Sequence, residues 1–278
     1  MSFATSQQIN KYLEAYKDVS VTFSKEVIEV LSFDVKQASV RASGGQWPCI
    51  LNSASMNGAK IICNKNSGLL QKISTQSLSN ASLRFSFFDS DSKEPVSFFV
   101  NIRLVGVSDY QMEDLALVTL AYTQRAPDAL IERLGRIIEA NVNAKRHAVE
   151  KIVLTDSIMR RIALSKKETV VFVEGVPRRC IIQNISFVGA TVYIMGVASF
   201  LKNKVVTLKF EFLDPDTVIA VKGHTVGAIP LEDRKDLVSL TIDYEVQNIP
   251  MSYKLYLNRY FELPKKLVAQ ETELDTKN

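Results

Sequence analysis

At 278 residues, with 46% hydrophobic and 23% charged side chains, the chain has material for one large core or two ordinary ones, and two domains is the expectation. No charged segment followed by an apolar stretch opens it and no run of ~18 apolar residues occurs, so neither export nor a membrane-spanning helix is indicated and a cytoplasmic protein is expected. The net charge of +4 is uneven: residues 1–139 hold 14 Lys and Arg against 14 Asp and Glu, and residues 140–278 hold 20 against 16.

In chain order, Ser6 is the expected N-cap of a helix over 7–16. After Pro127, the residues Leu130, Ile131, Leu134, Ile137 and Ile138 recur at helical spacing, which predicts a helix with one apolar face. The stretch 140–151 is rich in Asn, Lys and Arg and reads as a continued helix or an exposed linker. Short β-rich segments follow at 169–173, 180–183, 190–194, 205–212, 218–221 and 237–244, separated by Gly, Pro, Asn and Asp, as in a small closed barrel. In 206–212 the apolar residues alternate, which points Val206, Leu208, Phe210 and Phe212 inward and Lys209 and Glu211 to water. After Pro250, the stripe Tyr253, Tyr256, Leu257, Tyr260 and Phe261 predicts a second closing helix whose rings are core rather than a ligand platform. The polar tail from Glu271 reads as disordered.

The two halves repeat. A shift of 131 residues lays Gly44, Cys49, Ser55, Gly58 and Ala59 over Gly175, Cys180, Ser186, Gly189 and Ala190. With small changes of offset, Leu83-Arg84-Phe85-Ser86-Phe87 matches Leu208-Lys209-Phe210-Glu211-Phe212, and Leu134-Gly135-Arg136-Ile137-Ile138-Glu139 matches Leu257-Asn258-Arg259-Tyr260-Phe261-Glu262. Collinear matches of this kind indicate duplication of one barrel-and-helix unit. The expected organisation is a degenerate first copy at 1–139, a basic linker at 140–151 and a second copy with a short tail at 152–278. The fold class is mainly β with flanking helices: two tandem six-stranded β-barrels, each closed by a C-terminal α-helix.

Chemistry concentrates in the second copy. Between 145 and 189 there are 9 basic residues against 4 acidic ones, which suggests an anionic partner or a solvated basic face. Cys49, Cys63 and Cys180 are odd in number and lack Cys-x-x-Cys spacing, so reduced, buried thiols are expected and a zinc site is not. His147 and His224 are the only histidines, too few for a His-rich metal site or a His-based triad. Neither a Gly-rich phosphate loop nor a nucleophile elbow is present, so no enzyme is expected.

Asn184-Ile185-Ser186-Phe187-Val188-Gly189 resembles the Asp/Asn-x-Ser-x-x-Gly signature of PilZ domains, which are receptors for cyclic di-GMP. The resemblance covers about 145–262, and the tandem arrangement is similar to that of the two-domain PilZ proteins of spirochaetes. It implies a second element, Arg-x-x-x-Arg, ahead of the barrel; at that place stand Lys145-Arg146-His147-Ala148-Val149-Glu150-Lys151, and no two arginines of the chain lie four apart. His147 and Lys151 occupy the two motif positions, with Arg146 one residue out of register. Lysine keeps the charge and loses the bidentate fork.

The residue types suit such a ligand. A guanidinium matches the N7 and O6 acceptors of guanine and also a phosphate, and an amide oxygen accepts from the opposite edge of guanine. Expected ligand contacts are therefore Arg146, His147, Lys151, Arg178, Arg179, Asn184, Ser186 and Gly189. Glycine at the last position is expected either at positive φ or to leave room for the ligand. In the first copy Trp47, Pro48 and Ser53 stand where the second has Arg178, Arg179 and Asn184. The function expected is a cyclic di-GMP receptor that changes its domain arrangement to signal to an unidentified protein partner, in motility or envelope processes by family resemblance. The alternative is a protein-interaction adaptor without nucleotide binding. Neither DNA nor RNA is an expected partner, because the basic surplus is small and the aromatics sit at core spacing.

Overall fold

The computed structural model describes residues 5–75, 81–88, 95–232, 234 and 236–262; the tail from Glu271 lies outside them. The chain divides into two compact units, 1–138 and 139–278.

The first unit runs α1 (Ser6–Tyr16), β1 (Val21–Thr22), α2 (Lys25–Leu31), β2 (Ser39–Ala42), β3 (Gly45–Pro48), β4 (Ile50–Ala54), β5 (Gly58–Asn64), α3 (Leu69–Thr75), β6 (Ser82–Phe87), β7 (Val96–Tyr110), β8 (Met112–Tyr122) and α4 (Asp128–Arg146). The cap of α1 is Thr5, one residue ahead of expectation, and its hydroxyl accepts from the Gln8 amide. The strands form one large sheet of order β1-β4-β5-β8-β7-β6-β2-β3. Cys49 alone separates β3 from β4, so one stretch of chain supplies strands near both ends of that order. The unit boundary falls inside α4, which continues to Arg146 where the sequence left a helix and a linker open.

The second unit continues with β9 (Ile152–Val153), α5 (Asp156–Ile162), β10 (Glu168–Val173), β11 (Val176–Ile185), β12 (Gly189–Met195), α6 (Ala198–Leu201), β13 (Val205–Phe212), β14 (Thr217–Pro230), β15 (Leu237–Tyr244) and α7 (Met251–Phe261). The order β10-β13-β14-β15-β12-β11 is closed by pairing of β10 with β11, so six strands make a barrel, with β9 added along β11. Alternation places side chains as expected: Val206, Leu208, Phe210 and Phe212 are all buried inside. The Tyr253 ring lies 5.1 Å from Phe210, and Tyr256 stacks on Phe212 at 4.1 Å, so α7 closes the barrel with aromatic core residues.

The repeat is visible in backbone detail. Isolated bridges join Phe33 to Phe87 and Leu164 to Phe212. Left-handed residues end α2 at Ser32 and α5 at Ala163, with φ of 52° and 56°. The hairpins β2–β3 and β10–β11 turn through Ser43-Gly44 and Glu174-Gly175, all four at positive φ, the turn whose twist matches that of paired strands. A register shift interrupts β4 between Leu51 and Ser53 and β11 between Ile182 and Asn184. Shared bulges and caps, and not only shared residues, follow the shift of 131. The closed ring expected of both units is present in the second, while the first presents the large sheet.

All three cysteines are free and buried. Burial pushes the Cys49 and Cys180 thiols up to about 12. Their unfolded counterparts ionise near ~8.5, so their share of stability is intact below that pH and falls as pH rises toward the folded value. At neutral pH iodoacetamide should label native protein only as fast as it opens; labelling at the rate of a free thiol would contradict the burial.

Candidate functional site

The Asn184–Gly189 signature occupies the connection between β11 and β12. The Ser186 amide donates to the Gly189 carbonyl at 2.7 Å, the Ser186 hydroxyl donates to the same carbonyl at 3.2 Å, and the Val188 amide donates to that hydroxyl at 3.3 Å. The first unit repeats all three bonds at Ser55, Asn57 and Gly58, at 2.8, 3.3 and 3.2 Å. Ser186 is 6% exposed, and its oxygen serves the turn.

Gly189 does not sit at positive φ, contrary to that part of the expectation. A Cβ there would meet the Ile242 carbonyl at 2.5 Å, as one at Gly58 would meet the Leu120 carbonyl at 2.4 Å. Glycine is required because the neighbouring strand passes too close for any side chain.

Asn184 is set apart from this scaffold. The bulge at Gln183 re-aims the strand just ahead of it, leaving Asn184 half-buried between Val153 of β9 and Thr191 of β12. Because Ile152 pairs with Ile185, Lys151 reaches the same end of the barrel one residue earlier. His147 follows the last turn of α4 and stacks on Phe261 at 4.5 Å and 17°, and Phe261 stacks on Phe187 of the signature at 5.4 Å and 24°. His147 Nδ1 lies 2.7 Å from a Glu150 carboxylate oxygen. The α4 end is also fixed by Asn143, whose amide donates to Asn258 Oδ1 of α7 at 2.8 Å. Burial first, and the Glu150 carboxylate second, hold the nearby Tyr260 phenol above its ordinary pKa. Among the described residues, the exposed cations of Arg146 and Lys151 have no acidic partner.

The structure thus brings Arg146, His147, Lys151, Asn184, Ser186 and Gly189 to one end of the second unit. It does not bring Arg178 and Arg179 there: they lie five and six residues back along β11, a span of ~16–20 Å at ~3.3 Å per residue. A cleft of about 600 Å³ lined by Asp156, Met159, Arg160, Leu213, Asp214 and Arg259 contains none of the signature residues, and its charges nearly balance. Sequence reasoning missed Phe187, Phe261 and Glu150. Phe187 falls at a variable position of the signature, and Phe261 was assigned to core; no spacing rule signals a stack between remote rings.

A cyclic di-GMP binding protein of Treponema denticola is 52% identical to this chain over 268 residues, which is 96% of this chain and 85% of the relative. The model of the PilZN3 domain matches residues 7–141. The chain belongs to the PilZ family. Among solved structures, the PlzA protein of Borreliella burgdorferi in complex with c-di-GMP is 20% identical, with 92% of this chain and 99% of that one covered and a TM-score of 0.42. Escherichia coli YcgR in complex with c-di-GMP is 12% identical, at 89% and 93% coverage and a TM-score of 0.29. The PilZN3 match falls on the first copy, and the PilZ signature on the second.

Proposed function

We propose that the chain is a non-enzymatic receptor that binds cyclic di-GMP on its second unit, at the end of the barrel that gathers Asn184, Lys151, His147 and Arg146. The 52% identity to a named cyclic di-GMP binding protein across nearly the whole chain carries this reading. In it, Asn184 accepts from the guanine edge, Lys151 and Arg146 meet phosphate, and Ser186 and Gly189 shape the turn beneath. Arg178 and Arg179, toward the start of β11, are left out of this reading. The first unit is a degenerate copy that keeps the turn but carries Ser53 in place of the amide. Binding draws the 146–151 segment onto the ligand and shifts the population of domain arrangements read by a protein partner, by no more than the ligand's differential affinity for those arrangements.

Calorimetric titration of the intact protein with cyclic di-GMP, beside GTP and cyclic di-AMP, tests the reading. Saturable heat with cyclic di-GMP and none with the other two is expected. A folded, monodisperse protein inert to all three would make it an adaptor that has lost nucleotide binding.

A further inference from the structure

Arg178 and Arg179 are left without a role by that site, and they stand at the opposite end of β11. There β11 begins, β12 stops at Met195, and α6 lies in the connector to β13. Phe200 on α6 is 74% exposed, Val197 is 59%, Met195 is 63% and Val176 is 55%. The adjacent Leu201 is 2% exposed, so α6 is anchored while Phe200 is held outward.

Cations surround this apolar tip. A methyl group built on Gly196 would sit 3.8 Å from an Arg178 Nη and 3.2 Å from Leu201 Cδ1, which places the guanidinium beside the connector. The Cys180–Ile194 register carries Arg179 alongside Met195, and Lys202 follows α6; both side chains are exposed. Among the described residues none of the three has an acidic partner, whereas Lys204 pairs with Glu174 at 2.9 Å. The first unit finishes the same place differently. Trp47 stands at the position of Arg178, its indole N–H donates to the Ser67 carbonyl at 2.9 Å, and α3 buries Leu69 and Ile73.

We propose that this end of the second unit docks on an anionic phospholipid surface. Phe200, Val197 and Met195 enter the headgroup boundary, and Arg178, Arg179 and Lys202 meet lipid phosphates. The apolar side chains of this tip come from a strand end and one short helix and form no pocket, unlike the ~800 Å² complementary patch that each partner contributes to a stable protein interface. A fluid boundary needs no matching pocket, and the unpaired cations select an anionic leaflet.

Flotation of the full chain with vesicles of phosphatidylglycerol mixed into phosphatidylcholine, and with phosphatidylcholine alone, decides it. Binding to the mixed vesicles only, weakening as salt is added, is expected. Phe200→Ser should lower partition about tenfold or more, and Lys202→Gln and Arg178→Gln about fivefold each. Phe200→Ser and Lys202→Gln should keep the thermal midpoint and the nucleotide titration of the parent protein. Since no nucleotide enters the vesicle experiment, its outcome is independent of cyclic di-GMP binding. A parent chain that ignores both kinds of vesicle overturns the proposal and assigns the tip to a protein partner, and equal partition of Phe200→Ser and parent overturns it as well.

Discussion

Tyr253→Ala should lower the stability of the second unit by about 3–5 kcal/mol, read as a fall in denaturant midpoint at nearly constant slope. The ring is fully buried in α7, 5.1 Å from Phe210 and 5.8 Å from Tyr244, so its removal opens a cavity where helix and barrel meet. Its hydroxyl donates to the Ser186 carbonyl at 2.9 Å, linking the closing helix to the signature turn. Tyr253→Phe keeps the ring and loses that bond together with the 3.5 Å contact to the buried Tyr244 hydroxyl, at a cost of about 1–3 kcal/mol. Equal losses in the two variants would move the weight from packing to the hydroxyl.

The second large effect is on ligand affinity. Lys151→Ala should weaken cyclic di-GMP binding by about 1.5–3 kcal/mol, or one to two decades, the range for a lost charge-assisted hydrogen bond. Lys151 is exposed, so the thermal midpoint should hardly move. Asn184→Ala should cost about 1–3 kcal/mol by leaving guanine donors without an acceptor. The matched change Ser53→Ala, at the same bulge of the first unit, controls for the fold and should leave binding unaltered. Titrations of Lys151→Ala and Asn184→Ala that superpose on the parent curve would place the ligand elsewhere on the chain.

Much of the second unit was legible in sequence because its strands alternate cleanly and its closing helix carries a strict apolar stripe. β13 and β15 fall on the predicted residues, whereas β14 runs from Thr217 to Pro230, well past the predicted 218–221, because its far half pairs with β15 beyond a bulge at Val226. The helices α2 and α5 were missed. Each is only 7 residues long, too short for periodicity to stand out, and what marks them is a Ser or Thr cap at Ser24 and Thr155. Of the site, the signature turn and the basic segment were legible as motifs. Arg178 and Arg179 are close to the signature in sequence, yet an extended strand carries residues apart at its full rise and sets them at the other end of β11.

The twin turns at Ser55 and Ser186 bear on how receptors of this kind are to be told from their inert relatives. Serine and glycine serve the fold itself in both halves, one to tie the turn and the other to let a neighbouring strand pass, a need that is independent of any nucleotide. In the proposed binding mode the diagnostic weight of the six-residue signature rests on its first position, which is Ser53 in one half of this chain and Asn184 in the other. A search that scores the serine and glycine as heavily as the amide collects folds rather than receptors, and a receptor drifting toward silence would change at the amide while the rest of its signature stayed intact.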